Sequence, residues 1–309
     1  MKRISEDYVG RLAPSPTGPI HLGIAQTSLA AWLDARAAKG RLILRIEDVD
    51  RARAREEAIA GIIQDLRWLG LDWDAGPDVG GPEGPYLQSE RSALYTEMLA
   101  RIETEGRTFA CTCTRREVAV ASAPHGPADE GPRYPGTCRD TPSIRSDRSP
   151  SMRLRTEPSD RVRHIDRRLG VLEENVHERV GDFVLRRADG LWAYQFAVVV
   201  DDLVQGVTCV VRGDDLWSSM GRQLLLRQLI HPDAAPLRTL HLPLVYGPDG
   251  KRLAKREGAA SVAGLRAQGI SPSEILTILA QGLSLRIPPG GLARPYDLVG
   301  PWADRWGRG

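Results

Sequence analysis

The stretch from Arg11 to Ile24 (Arg-Leu-Ala-Pro-Ser-Pro-Thr-Gly-Pro-Ile-His-Leu-Gly-Ile) constrains this chain more than any other. A short apolar approach runs into a turn crowded with proline and glycine, and a His-x-Gly step then opens an amphipathic helix. Pro14, Pro16 and Pro19 fix their own φ and push the preceding residues towards extended backbone, so the turn is stiff. Gly18 and Gly23 let backbone approach a ligand where a Cβ would intrude. The helix that follows offers free N–H groups and the positive end of its dipole, a combination that suits a phosphate. His21, just ahead of that end, is placed to donate a hydrogen bond to the same anion. The spacing is neither the Walker P-loop nor the dinucleotide GxGxxG.

Around this turn the pattern is that of an α/β domain. Tyr8 to Arg11 reads as a first strand, and Gly23 to about Lys39 as a helix with Ile24, Leu29, Trp32 and Leu33 on one face. Arg41 to Glu47 (Arg-Leu-Ile-Leu-Arg-Ile-Glu) reads as a buried parallel strand. A second helix is expected over Arg55 to Leu69, with Glu56 and Glu57 in its first turn, and a third over Ser92 to Glu105. Strand, helix, strand, helix is the opening of a parallel sheet with helices on both faces. Ala121 to Ser151 is rich in Pro, Gly, Ser, Asp and Arg and reads as a loop-rich insertion. Sheet-like pattern returns at Leu191 to Val200 and at Val207 to Val211, followed by a leucine-rich helix through Leu224 to Leu229. Ser271-Pro272-Ser273-Glu274 is a capping box with proline at the first helical position. The expected division is a Rossmann-like half at 1–105, an insertion at 106–185, the second half at 186–240, and a closing loop with a helical tail at 241–309.

Bulk properties exclude more than they identify. A chain of 309 residues with a formal charge of +2 carries no global positive charge that would announce nucleic acid, although local basic clusters remain open. Its N-terminus lacks an apolar signal-like segment and no stretch approaches membrane-spanning length, so a cytoplasmic protein without membrane association is expected. Four cysteines, two of them as Cys111-x-Cys113, suit a metal in a reducing compartment better than a disulfide framework. With Tyr134-Pro-Gly-Thr-Cys138 they give three thiols and a phenol that would close a tetrahedral zinc site. By chemistry alone His125 and His164 compete with Tyr134 for the fourth position. Cys209 sits in an apolar strand and reads as core, and His164, His177, His231 and His241 read as structural.

These features together resemble the class I aminoacyl-tRNA synthetases, in the form used by the glutamyl type. The first run resembles their HIGH signature, with Ile24 where the generic motif has its second histidine. The second signature, KMSKS, is matched by Arg252-Leu253-Ala254-Lys255-Arg256, with Ala254 in place of the usual serine. The resemblance implies that His21 and Gly23 face ATP. It implies that Arg252 and Lys255 meet its phosphates, where a cation neutralises the charge that develops as pyrophosphate leaves. It implies a glutamate pocket lined by Arg11, Leu12, Ala13, Pro14 and Ser15, with Glu47 on the ammonium and Tyr194 and Arg212 on a carboxylate. A planar guanidinium fork suits two carboxylate oxygens. His21, Gly23 and Lys255 would be the catalytic set, and Mg²⁺ would accompany ATP.

Two further matches narrow the resemblance to truncated glutamyl-synthetase paralogues. They carry the same Cys111, Cys113, Tyr134, Cys138 set, which favours Tyr134 as fourth ligand of one structural zinc. After the Lys255 segment only residues 257–309 follow, where a full glutamyl-tRNA synthetase continues with a far larger helical anticodon-binding region; no such domain is expected here. The paralogues activate L-glutamate with ATP and transfer it to the cyclopentene-diol of queuosine in the anticodon of tRNA(Asp). Arg115, Arg116, Arg153, Arg155, Arg161 and Arg163 are candidates to grip the RNA backbone, and a monomer is expected. The alternatives are a fragmentary glutamyl-tRNA synthetase charging an acceptor end, and a silent synthetase-like module that binds RNA or protein.

Overall fold

The computed structural model describes residues 8–50, 56–121, 132–140, 145–244 and 261–307. β1 (Val9–Leu12) passes through the proline turn into α1 (Leu22–Ala37), and β2 (Arg41–Leu44) returns parallel to β1. This is a right-sized βαβ crossover, with apolar Leu12, Leu42, Ile43 and Leu44 all buried between layers. α1 is enclosed rather than one-sided. Gln26, Ser28 and Asp34 are buried beside Leu29, Trp32 and Leu33, because the C-terminal helices cover its outer face. Asp34 is satisfied there by the hydroxyl of Tyr8, the guanidinium of Arg167 and the indole N–H of Trp302.

Next come α2 (Glu56–Trp68) and α3 (Ser92–Thr104), within one or two residues of expectation. β3 (Thr108–Cys111), α4 (Arg115–Ala121), β4 (Ser151–Leu154), β5 (Arg161–Asp166), β6 (Gly170–Asn175), α5 (Val176–Arg179) and β7 (Phe183–Arg186) follow. β3, β4 and β7 make an antiparallel sheet of their own. The β5–β6 hairpin instead reaches the parallel sheet, where Asp166 pairs with Thr239.

The chain returns through α6 (Tyr194–Val204), β8 (Cys209–Gly213), α7 (Met220–Ile230) and β9 (Arg238–Leu242). β9 runs parallel to β8, and β8 lies beside β1, with Thr208 N–H donating to Val9 O at 2.9 Å. The strands therefore lie in the order β2, β1, β8, β9, β5, β6. α8 (Val262–Ala267), α9 (Pro272–Gly282) and α10 (Val299–Trp306) close the chain. The capping box at Ser271 is formed as its sequence demands.

One expectation fails. Leu191 to Val200 is not a strand: Tyr194–Val204 is helical, and Phe196 to Val200 are all buried. A short unbroken apolar run has no periodicity to separate a buried helix from a buried strand, and three consecutive valines bias the reading towards sheet. Burial on every side of the helix overrides that local preference. Among the described residues no helix is long and apolar enough to cross a membrane.

Candidate active site

A cavity of about 510 Å³ opens where the carboxyl ends of β1, β8 and β9 meet the N-terminus of α1. In parallel α/β sheets this is the edge at which ligands bind. Arg11, Leu12, Ala13, Pro14 and Ser15 line one wall. His21 and Gly23 line the helix end, and Glu47, Tyr194 and Arg212 complete the enclosure. The described residues singled out from sequence for ATP and glutamate are thus brought to one place, from five separate segments of the chain.

The helix end is built around His21. It is the N-cap of α1, and its Nδ1 accepts the N–H of Ile24 at 3.2 Å. A neutral imidazole that accepts at Nδ1 carries its hydrogen on Nε2. Gly23 sits close against the ring. A Cβ there would lie 3.2 Å from both Cε1 and Nδ1 of His21, tighter than ordinary contact.

Beneath the cavity lies a buried charge network. Arg45, fully buried, places its guanidinium 2.7 Å from Asp202 and 3.1 Å from Glu47. Arg11 approaches the same Asp202 carboxylate at 3.5 Å, and Arg91 pairs with Asp201 at 2.6 Å. Burial pushes the Glu47 carboxyl up from its ordinary value, against the pull of Arg45 and Arg11. For Asp202 burial works the same way, but Arg45 and Arg11 outweigh it and hold the carboxyl low. Burial also pushes the Tyr194 phenol up to about 12, helped by Glu47.

Arg212 differs from the other buried arginines. Its Nε donates to His241 Nε2 at 2.9 Å, Nη1 to Gln223 Oε1 at 2.8 Å and Nη2 to Leu216 O at 3.4 Å. Among the described residues no carboxylate lies within ion-pair distance of it. In this network the guanidiniums of Arg11, Arg45 and Arg91 meet the carboxylates of Glu47, Asp201 and Asp202 directly, whereas Arg212 reaches a carboxylate, that of Asp166, only through the His241 ring. A cavity-lining guanidinium without a direct carboxylate partner is a group that a bound anion would satisfy. Burial accordingly pushes the Arg212 guanidinium below its ordinary value.

Sequence reasoning passed over Arg45, Asp202 and Asp166, and gave His241 no part in the site. Arg45 stands inside Leu42-Ile-Leu-Arg-Ile46, and His241 inside Leu240-His-Leu242. A polar residue within a buried strand must find a partner, and that signal was available. His241, read as structural, is a direct partner of Arg212.

Lys255 and Arg252 lie outside the described residues. Both flanks of their segment are at the cavity: Leu244 lines it, and Ser261 forms a backbone bridge with His21. Of the basic residues considered for RNA, Arg153 stacks 3.9 Å over the Tyr134 ring, Arg155 pairs with Asp140, and Arg163 pairs with Glu173. Arg115, Arg116 and Arg161 are exposed.

The cysteine set forms a second site at the end of β3. The Sγ atoms of Cys111, Cys113 and Cys138 lie within 4.8 Å of one another, with Cys113 and Cys138 3.6 Å apart. Ligands on a tetrahedral zinc with Zn–S bonds of about 2.3 Å would sit roughly 3.8 Å apart, so the donor set fits such an ion. The Tyr134 hydroxyl is 3.4 Å from Cys111 Sγ and 3.8 Å from Cys113 Sγ, and accepts the N–H of Cys138 at 2.7 Å. His164 is elsewhere, bonded to Thr239, and His125 lies outside the described residues.

Comparison with known proteins decides the family. A model of the class I (E and Q) tRNA synthetase catalytic domain matches residues 8–284. The glutamyl-Q tRNA(Asp) synthetase of Symbiobacterium thermophilum is 51% identical over 94% of this chain and 90% of its own length. The chain belongs to the class I (E and Q) tRNA synthetases, among the glutamyl-Q tRNA(Asp) synthetases. Glutamate–tRNA ligase 1 of Halorhodospira halophila is 44% identical, and this synthetase spans only 57% of its length. The crystal structure of glutamate-tRNA synthetase from Elizabethkingia anophelis superposes with a TM-score of 0.78 at 28% identity, covering 95% of this synthetase and 65% of that chain.

Proposed function

We propose that this synthetase activates L-glutamate with ATP, without tRNA, and transfers the glutamyl group to queuosine in the anticodon of tRNA(Asp). The observation that carries the activation half is Arg212, a buried cavity-lining guanidinium with only neutral partners. Glutamate at neutral pH has two carboxylates and one ammonium, and a carboxylate would supply the direct counter-charge that Arg212 lacks. In this reading Glu47 takes the ammonium, Arg212 and Tyr194 take one carboxylate, and the wall from Arg11 to Ser15 fixes the rest.

The α-carboxylate attacks the α-phosphorus of ATP, forming the carboxyl–phosphate bond of glutamyl-adenylate and releasing pyrophosphate. No enzyme nucleophile is required. The protein holds the reactants in line and stabilises phosphate charge. The His21 Nε2–H and the N-terminus of α1 bind phosphate oxygens, Arg252 and Lys255 meet the leaving pyrophosphate, and Mg²⁺ would accompany ATP. A hydroxyl of the queuosine cyclopentene ring then attacks the acyl carbon, and AMP departs. Zinc held by Cys111, Cys113, Tyr134 and Cys138 would tie β3 to the following loop and supply no chemistry to the reaction.

Glutamate-dependent ATP–pyrophosphate exchange without tRNA tests the activation step. Arg212→Lys keeps the charge and loses the fork, so the glutamate KM is expected to rise about 10- to 100-fold with the ATP KM unchanged. An unaltered glutamate KM would remove Arg212 from the pocket.

A further inference from the structure

We infer that His241 and Asp166 are positioning residues for substrate recognition, holding the Arg212 guanidinium in the orientation that meets the glutamate carboxylate. This rests on the glutamate reading given above. Arg212 Nε–H donates to His241 Nε2 at 2.9 Å, so that nitrogen must carry a lone pair. The ring hydrogen is then on Nδ1, which donates to Asp166 Oδ2 at 2.7 Å. The tautomer is therefore set by two bonds at once, as it is for a histidine oriented by a carboxylate in a metal or catalytic site.

Asp166 is itself immobilised. Its carboxylate accepts the Thr239 hydroxyl at 2.7 Å and the backbone N–H groups of Arg168, Leu169 and His241. Thr239, having donated its hydrogen, accepts from His164 Nε2 at 2.7 Å. The chain of contacts runs from β5 through β9 to β8 and ends on the cavity. His241 and Asp166 are buried and do not line the cavity, so neither is placed to touch substrate. An arginine with carboxylate partners needs no such support; Arg212, held by neutral acceptors alone, has its direction set by them.

A pH signature follows from the neutral imidazole. His241 is faced by Asp166 and His164 from β5, by Arg212 from β8, by Arg11 from β1 and edge-to-face by the Trp217 ring, centroid to centroid 5.1 Å, while Arg168, paired with Asp214, binds its carbonyl. Burial first, and then Arg212, hold its pKa below the ordinary imidazole value against the Asp166 hydrogen bond. Protonation places an N–H and a positive charge at Nε2, directly against the Arg212 N–H. The guanidinium must then turn away.

The test compares wild type, His241→Asn and His241→Gln in tRNA-free ATP–pyrophosphate exchange, with thermal unfolding as a folding control. Asparagine keeps a donor near Nδ1 for Asp166 and loses the acceptor for Arg212; glutamine reaches Nε2 and restores the acceptor. At pH 7.5 the glutamate KM is expected to rise about tenfold in His241→Asn and to stay within about twofold of wild type in His241→Gln, with the ATP KM unmoved in both. Wild-type glutamate KM is also expected to climb as pH falls below 6.5, more steeply than in His241→Gln. Glu47 titrates alike in the two proteins and drops out of that comparison. Equal effects of asparagine and glutamine, an unchanged His241→Asn, or coincident pH profiles would each overturn the proposal. If His241→Asn does not fold, the two pH profiles decide alone. Wild type without any glutamate-dependent exchange overturns the function reading itself, and this proposal with it.

Discussion

At the scale of single residues the cavity depends on what is missing as much as on what is present. Gly23 sits in the first turn of α1, where alanine would ordinarily favour the helix. Here its Cβ would press on the imidazole of His21 at 3.2 Å. Gly23→Ala is therefore expected to leave Tm unlowered while slowing glutamyl-adenylate formation tenfold or more, by moving the Nε2–H off the phosphate. Thermal unfolding beside single-turnover adenylation checks both halves, and loss of stability with normal adenylation would contradict this role. Arg11 and Arg212 were legible in the sequence through motif resemblance. The contacts that orient them were not, because Asp202 and His241 sit far along the chain and meet their partners only after folding.

At the scale of elements, legibility followed periodicity and capping. α2 and α3 carry helical spacing and form within one or two residues of their expected bounds, and α9 starts at its expected capping box. α6 carries neither, and its run of buried valines resembled a strand. It matters for the site, since helical geometry brings Tyr194 to the cavity while Asp201 and Asp202 face the buried arginines. The Ser271 side chain accepts the Glu274 N–H at 3.3 Å in the capping box of α9. Replacing Ser271 with alanine is expected to destabilise the protein by about 1 kcal/mol in urea unfolding. No change in the midpoint would mean that tertiary packing alone fixes the start of α9.

For the whole molecule, two sites separate cleanly. The cavity belongs to the parallel sheet and α1, and none of Cys111, Cys113, Tyr134 or Cys138 lines it. Purified protein is expected to contain about one zinc per chain. Stripping it with a chelator, or Cys113→Ser, should lower Tm and leave tRNA-free glutamate activation near wild type. Elemental analysis without zinc would dismiss the metal, and collapse of activation on zinc removal would show that the two sites are coupled.

The decisive measurement incubates the protein with ATP and labelled glutamate beside tRNA(Asp) bearing queuosine, tRNA(Asp) lacking it, and tRNA(Glu). Label is expected on queuosine-containing tRNA(Asp) alone. Label on tRNA(Glu) would make this an acceptor-charging synthetase, and label on none, with no adenylate formed, would make it a silent relative of its family.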